Sequence, residues 1–208
     1  MPPIAVFLAL VTLIQWSFLA FLGTRLSHVP PFLLVGIALS VSGLTSSYSY
    51  RNWRIPLRTF LIGIWGIFGY HFFFFLALRF APPIEANLIN YLWPLLTVVL
   101  SPLFFKGYPL HFHHGLGAVL GFLGAGLIVT GGKFQLDIHH LDGYLLALGA
   151  AVSWSTYSLL TKKVPPFPTT AIGGICLFSG LISLGIYLGE SRSLSDIGLL
   201  SRTDWFYL

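Results

Sequence analysis

The stretch ANLINYLWPLLTVVLSPLFF, residues 86–105, contains no charged side chain and has the length of a membrane-crossing helix. It also carries Asn87, Asn90, Pro94, Thr97 and Ser101, at spacings of 3, 4, 3 and 4. That spacing puts all five on one helical face. Amides and hydroxyls are costly against lipid, so the face is expected to look inward. Pro94 has no N–H to offer the carbonyl of Asn90, which leaves an acceptor unpaired at mid-span. Backbone of that kind is tolerated where it is buried in protein or lines a wet cavity. Tyr91 and Trp93 flank it with aromatic surface. The competing reading is a structural kink held by helix–helix hydrogen bonds.

The rest of the chain has the same character. Of 208 residues, 11 are Lys or Arg and 6 are Asp or Glu, so 8% are charged and 56% are hydrophobic. Mean hydropathy is +0.84. An average soluble domain carries about 25% charge, and one domain of this size could not hide so much apolar surface. Disorder requires the reverse composition. The fold class expected is all-α, a polytopic transmembrane helical bundle in contact with the lipid bilayer. Uncharged stretches mark spans at 4–22, 31–49, 59–78, 86–105, 112–131, 143–161 and 169–189. The terminal Asp204-Trp205-Phe206-Tyr207-Leu208 looks like the first turn of an eighth.

Alternating spans assign the charges to two sides. Arg51, Arg54, Arg58, Lys106, Lys162 and Lys163 fall on the side of the N-terminus. Arg25, Arg79, Lys133, Arg192, Arg202 and every acidic residue fall on the other. Over the first four loops the basic count is four against two, which favours a cytoplasmic N-terminus. The net charge of +5 is thus topological and implies no nucleic-acid partner. The N-terminal apolar stretch is too long, and lacks the leading positive charge, for a signal peptide.

A duplication is written into the sequence. Trp16-Ser17 recurs as Trp154-Ser155, Val29-Pro30-Pro31-Phe32 as Val164-Pro165-Pro166-Phe167, and Ser42-Gly43-Leu44 as Ser179-Gly180-Leu181. The offsets are 138, 135 and 137, in the same order. Residues 1–133 form a first unit of five spans, and 142–208 form part of a second. An odd number of spans makes the copies enter the membrane from opposite sides. Many secondary transporters are built so, with the substrate near the midplane between repeats.

Other chemistry is sparse. Thr12, Gln15, Trp16 and Leu19 make one face of the first span; Trp154, Tyr157, Ser158 and Thr161 make the related face of the sixth. Ser17 and Thr156 could equally bond within their own helices. Gly63, Gly66 and Gly69 precede Tyr70 and are expected to allow close helix packing, as are Gly117-x3-Gly121 and Gly185-x3-Gly189. His71 lies mid-span, where an ionisable side chain is a functional candidate; a neutral ring bonded to a carbonyl is the alternative to a proton carrier. Glu85 is placed to cap the fourth span or pair with Arg79, with gating or proton transfer as the other option. His111, His113 and His114 precede the fifth span and His139 and His140 follow it, so a membrane separates the two groups. Without a neighbouring carboxylate or cysteine they make a weak metal site, and no metal is expected. Cys176 is the sole cysteine, which excludes an intrachain disulfide. There is no HExxH, GxSxG or P-loop, so neither an enzyme nor a cofactor is expected.

The run Ile84-Glu85-Ala86-Asn87-Leu88-Ile89-Asn90-Tyr91-Leu92-Trp93-Pro94 resembles the fourth span of EamA-domain transporters of the drug/metabolite transporter superfamily, closest to the aromatic amino-acid exporter branch. Trp16-Ser17, the glycine-rich third and fifth spans, and Trp154 with Tyr157 match that pattern more loosely. The resemblance implies a ten-span bundle of two inverted repeats around a cavity, in a bacterial inner membrane, exporting neutral or aromatic amino acids by alternating access. The substrate-binding candidates are Trp16, Tyr70, His71, Asn90, Tyr91, Trp93, Pro94, Trp154 and Tyr157. Against ten spans the chain stops at the eighth, so it is expected to be a fragment. A non-transporting scaffold or regulatory fragment descended from a transporter is the alternative.

Overall fold

The structure, a computed structural model, describes residues 4–8, 10–12, 14, 26, 28–107, 110–132, 137–190, 200–201 and 203–204. Residues 4–8, 10–12 and 14 are helical, and the remainder of the first expected span, with Trp16, lies outside the described residues. The other six spans all fall on helices: α1 (Pro31–Thr45), α2 (Leu57–Phe80), α3 (Pro83–Phe104), α4 (Phe112–Thr130), α5 (Leu141–Thr161) and α6 (Thr169–Gly189). No strand occurs among the described residues. By length and composition α2, α3 and α6 can each cross a membrane, and α1 joins them when counted with its bent continuation; the sequence alone suggested seven spans.

Prolines and hydroxyls set the boundaries. Pro31 and Pro83 open α1 and α3, where a missing N–H costs nothing. α1 stops at Thr45, four residues short of the expected 49, and the chain turns by 85° into a 3₁₀ segment, Ser47–Trp53. The hydroxyls of Thr45 and Ser46 both donate to the carbonyl of Ser42, at 2.8 and 3.2 Å, and compete with the helix for it. α4 ends on Gly131 and Gly132, both at positive φ, and the Gly132 N–H returns to the carbonyl of Leu127 at 3.0 Å. That closure needs a left-handed backbone, which glycine adopts without strain.

α3 is not one continuous helix. It breaks at Tyr91 and Leu92, where the Leu92 N–H reaches only three residues back, to Ile89, and restarts at Trp93. Pro94 is thereby in the first turn of the second half rather than inside a helix, where its missing N–H is harmless. The break also ends the single polar face expected along residues 87–101. Asn90 is buried, Pro94 is exposed, and Thr97 and Ser101 donate to their own helix at Trp93 and Val98.

Two seams organise the bundle. In the first, α5 presents Gly143, Tyr144 and Ala147 to Ala77 of α2, to Ala81 just beyond its end and to Ala86 of α3, all buried. In the second, α1 and α6 lie antiparallel. A Cβ on Gly43 would be 2.6 Å from Leu177, and one on Gly180 would be 2.5 Å from Ser40. The offset of 137 that turns Gly43 into Gly180 also turns Ser40 into Leu177, so each contact is the copy of the other. Ser183 donates to the Phe32 carbonyl across the same seam at 2.9 Å, and Tyr187 closes its end with Phe32 and Leu33.

Consecutive helices alternate in direction, which gives the bundle two ends. At the end holding Pro31, Arg79 forms a two-pronged pair with Glu190 at 3.1 and 3.5 Å and lies over the Phe32 ring. Glu85, expected to cap its helix or pair with Arg79, instead accepts a hydrogen bond from the Tyr144 hydroxyl. α5 starts beside α3 there, bringing the phenol closer than the guanidinium. At the end holding Thr45, the Asn52 amide donates to Thr170 and Lys163 lies over the Phe104 ring.

Candidate functional site

Near the middle of α2, a π-helical turn, Trp65–Gly69, interrupts the α-helix. Such turns are rare and leave backbone groups to be satisfied from outside. Here α5 satisfies them. The Ser153 hydroxyl donates to the Trp65 carbonyl at 2.8 Å, and the Trp65 indole N–H donates to Thr156 at 2.9 Å. Thr156 passes its own proton to the Val152 carbonyl within its helix. Gly66 and Gly69 make the approach possible. A Cβ on Gly66 would stand 2.1 Å from the Tyr157 ring, and one on Gly69 would meet the Ser153 hydroxyl at 3.2 Å.

The clamp orients the next turn of α2. The Tyr70 ring lies 5.2 Å from Trp154, and Trp154 lies 5.4 Å from Tyr157. Phe74 stacks on Tyr70 from one turn further along, at 5.7 Å. Asn90, at the last turn before the break in α3, donates from its amide nitrogen to the Tyr70 hydroxyl at 3.2 Å. Asn90 is only 4% exposed, and its amide oxygen is buried without a partner among the described residues. An unpaired buried acceptor costs about 1–3 kcal/mol, so a ligand donor placed there would recover that free energy.

His71 donates from Nδ1 to the Ile67 carbonyl, four residues back, at 2.5 Å, and its ring stands edge-on to Tyr70 at 5.2 Å. The ring is thus tied to its own helix through the kind of carbonyl bond that the sequence allowed for. Tyr91, Trp93 and Pro94 do not join the ring cluster. Tyr91 is 50% exposed at the break, Pro94 is exposed and Trp93 is half-buried. Trp16 lies outside the described residues. Of the nine candidates, the structure therefore brings Tyr70, His71, Asn90, Trp154 and Tyr157 together.

Trp65 and Ser153 were not singled out in the sequence. Trp65 is the ninth residue of α2, too deep for an interfacial anchor, and that depth is the signal that could have identified it. Trp65 also borders a groove of about 460 Å³ lined by Leu57, Arg58, Leu61, Ile62 and Leu160. Charge is absent from the cluster. Among the described residues every Lys, Arg, Asp and Glu lies in a loop or within three positions of a helix end. The described side chains of the site can stack on apolar and aromatic surface and exchange neutral hydrogen bonds.

The histidines divide as expected between the two ends. His139 and His140 lie at the Pro31 end, where the His140 ring contacts the Phe80 carbonyl at 3.0 Å. His111, His113 and His114 lie at the other, with one ring nitrogen of each within 4.8 Å of the rest.

Residues 3–130 match the model of the EamA-like transporter family. Over 203 residues the chain is 36% identical to a protein named aromatic amino acid exporter YddG, from Ancylobacter novellus, covering 93% of this chain and 70% of that protein. It is 27% identical to a probable amino-acid metabolite efflux pump of Salmonella typhimurium, covering 95% of this chain and 67% of the pump. The corresponding Escherichia coli pump is 25% identical over 183 residues, and the alignment spans 60% of it. A solved crystal structure, 33% identical, superimposes with a TM-score of 0.79 over 93% of this chain and 68% of the other.

Proposed function

The chain belongs to the EamA-like transporter family and is an integral membrane protein, and from that premise we propose that it exports small neutral or aromatic amino acids from the cytoplasm by alternating access. The observation that carries the reading is Asn90: a buried amide whose oxygen lacks a partner among the described residues, set among Tyr70, Trp154 and Tyr157 with no described charge beside them. Aromatic rings stack on an apolar or aromatic side chain. The Asn90 oxygen accepts from the solute's donor. A site without fixed charge suits a neutral or zwitterionic solute better than a strongly charged one, because nothing there compensates an ion's lost hydration.

The names of the relatives support export of amino acids or their metabolites. The matched contacts of the α1–α6 seam support two inverted repeats, 1–133 and 142–208, that rock about the site. Six basic side chains at the Thr45 end, and the described acidic ones all at the Pro31 end, support a cytoplasmic N-terminus in a bacterial inner membrane.

The test is efflux of labelled phenylalanine from cells expressing the full gene or its Asn90→Ala variant. Efflux is expected to fall by about tenfold, the loss of one buried hydrogen bond to substrate. Equal efflux at equal membrane abundance would remove Asn90 from the site.

A further inference from the structure

We propose that His111, His113 and His114 form a binding site for a divalent transition-metal ion at the Thr45 end of the bundle. The backbone builds it. α4 starts at Phe112, and the His114 N–H donates to the His111 carbonyl at 2.9 Å, so three imidazoles leave one tight turn in the same direction. Their ring centroids are 5.3, 5.4 and 4.2 Å apart, and one nitrogen from each lies within 4.8 Å of the others. Around a tetrahedral ion with nitrogen at 2.0–2.1 Å, ligand atoms stand ~3.4 Å apart. All three side chains are exposed, so side-chain rotation can close that gap without disturbing a packed core. The His111 N–H also contacts His114 Nδ1 at 3.3 Å, a long hydrogen bond that an ion displaces at small cost.

The chemistry of the end selects the ion. The charged side chains described there are Arg51, Arg54, Arg58, Lys106, Lys162 and Lys163, with no carboxylate among them. The ligand set is therefore nitrogen alone. Calcium and magnesium require oxygen, whereas imidazole suits zinc, copper, nickel and cobalt. Three protein ligands leave a fourth position for water or another donor. The site is independent of the transport reading, since Asn90 and its aromatic neighbours take no part in it.

The experiment titrates the detergent-purified full chain, made without a polyhistidine tag, with Co²⁺ and then with competing Zn²⁺. The expected result is one cobalt per chain with the visible absorption of a tetrahedral nitrogen site, displaced by zinc. His113→Ala is expected to weaken binding by at least about tenfold, and the triple His→Ala variant to abolish it. A His139→Ala/His140→Ala variant binds as the parent does. Size-exclusion elution and tryptophan emission check that each variant is folded. Absence of cobalt binding at millimolar concentration, or binding that survives the triple replacement, would overturn the assignment.

Discussion

α4 and α6 look alike as sequences and behave differently as helices. Each is apolar, each has several glycines, and each carries a Gly-x3-Gly pair that reads as a packing motif. In α6, Gly173, Gly174 and Gly180 are pressed against Ser46, Trp53 and Ser40. In α4, a Cβ added at Gly115, Gly117, Gly121 or Gly124 meets nothing within 4 Å among the described residues, and Leu116, Leu120, Leu123 and Leu127 are exposed. Within α6, Gly185 and Gly189 of the expected pair meet nothing among the described residues, while Gly180, outside the motif, makes the seam. A glycine permits close approach only where a second backbone arrives to use it. In lipid, where packing rather than water exclusion drives helix association, that arrival decides the energy.

Replacing the seam and the open glycines by the same residue breaks the comparison most directly. Gly180→Leu should have the largest effect, because its side chain would enter the Ser40 backbone. Overpacking in a well-packed interior costs about 1–3 kcal/mol and occasionally more, and a leucine against backbone belongs at the upper limit. Loss of the monodisperse peak in fluorescence-detected size exclusion is the expected result. Gly66→Ala comes next, at about 2 kcal/mol. It should displace Tyr157, so transport at equal abundance should fall further than thermal stability does. A variant with lowered stability and unchanged transport would separate the π-turn clamp from the site.

Ser183→Ala removes the hydrogen bond to Phe32 across the α1–α6 seam and should cost about 1 kcal/mol, read as a lowered midpoint in thermal unfolding. At the small end, Gly121→Leu on α4 should change stability by less than about 0.5 kcal/mol. A large loss there would mean that the open face of α4 is packed in the membrane, and the contrast with α6 would disappear.

Much of the helical layout was legible because charge avoidance in a membrane is strict. The break in α3 was half legible. Pro94 marks the region, but the interruption falls two residues earlier, since a proline early in a helix needs no distortion of its own. Asn90 and Tyr70 were recognisable as polar groups in apolar spans. That they bond to each other depends on α2 and α3 lying side by side, and on the π-turn that rotates Tyr70 toward α3. Glu85 shows the limit from the other direction. Nearness in sequence suggested Arg79, yet Tyr144, 59 residues away, takes the carboxylate because α5 starts beside α3.

By itself the sequence determined a helical membrane bundle, charges confined to its ends, and a duplicated Trp-Ser, Pro-Pro and Ser-Gly-Leu pattern. These arise from solvation and periodicity, which act on each segment separately. The tertiary structure alone decided which glycines became seams and which of nine candidate side chains converged. Those outcomes depend on the neighbour a helix face meets, and a periodic pattern defines the face without naming the neighbour.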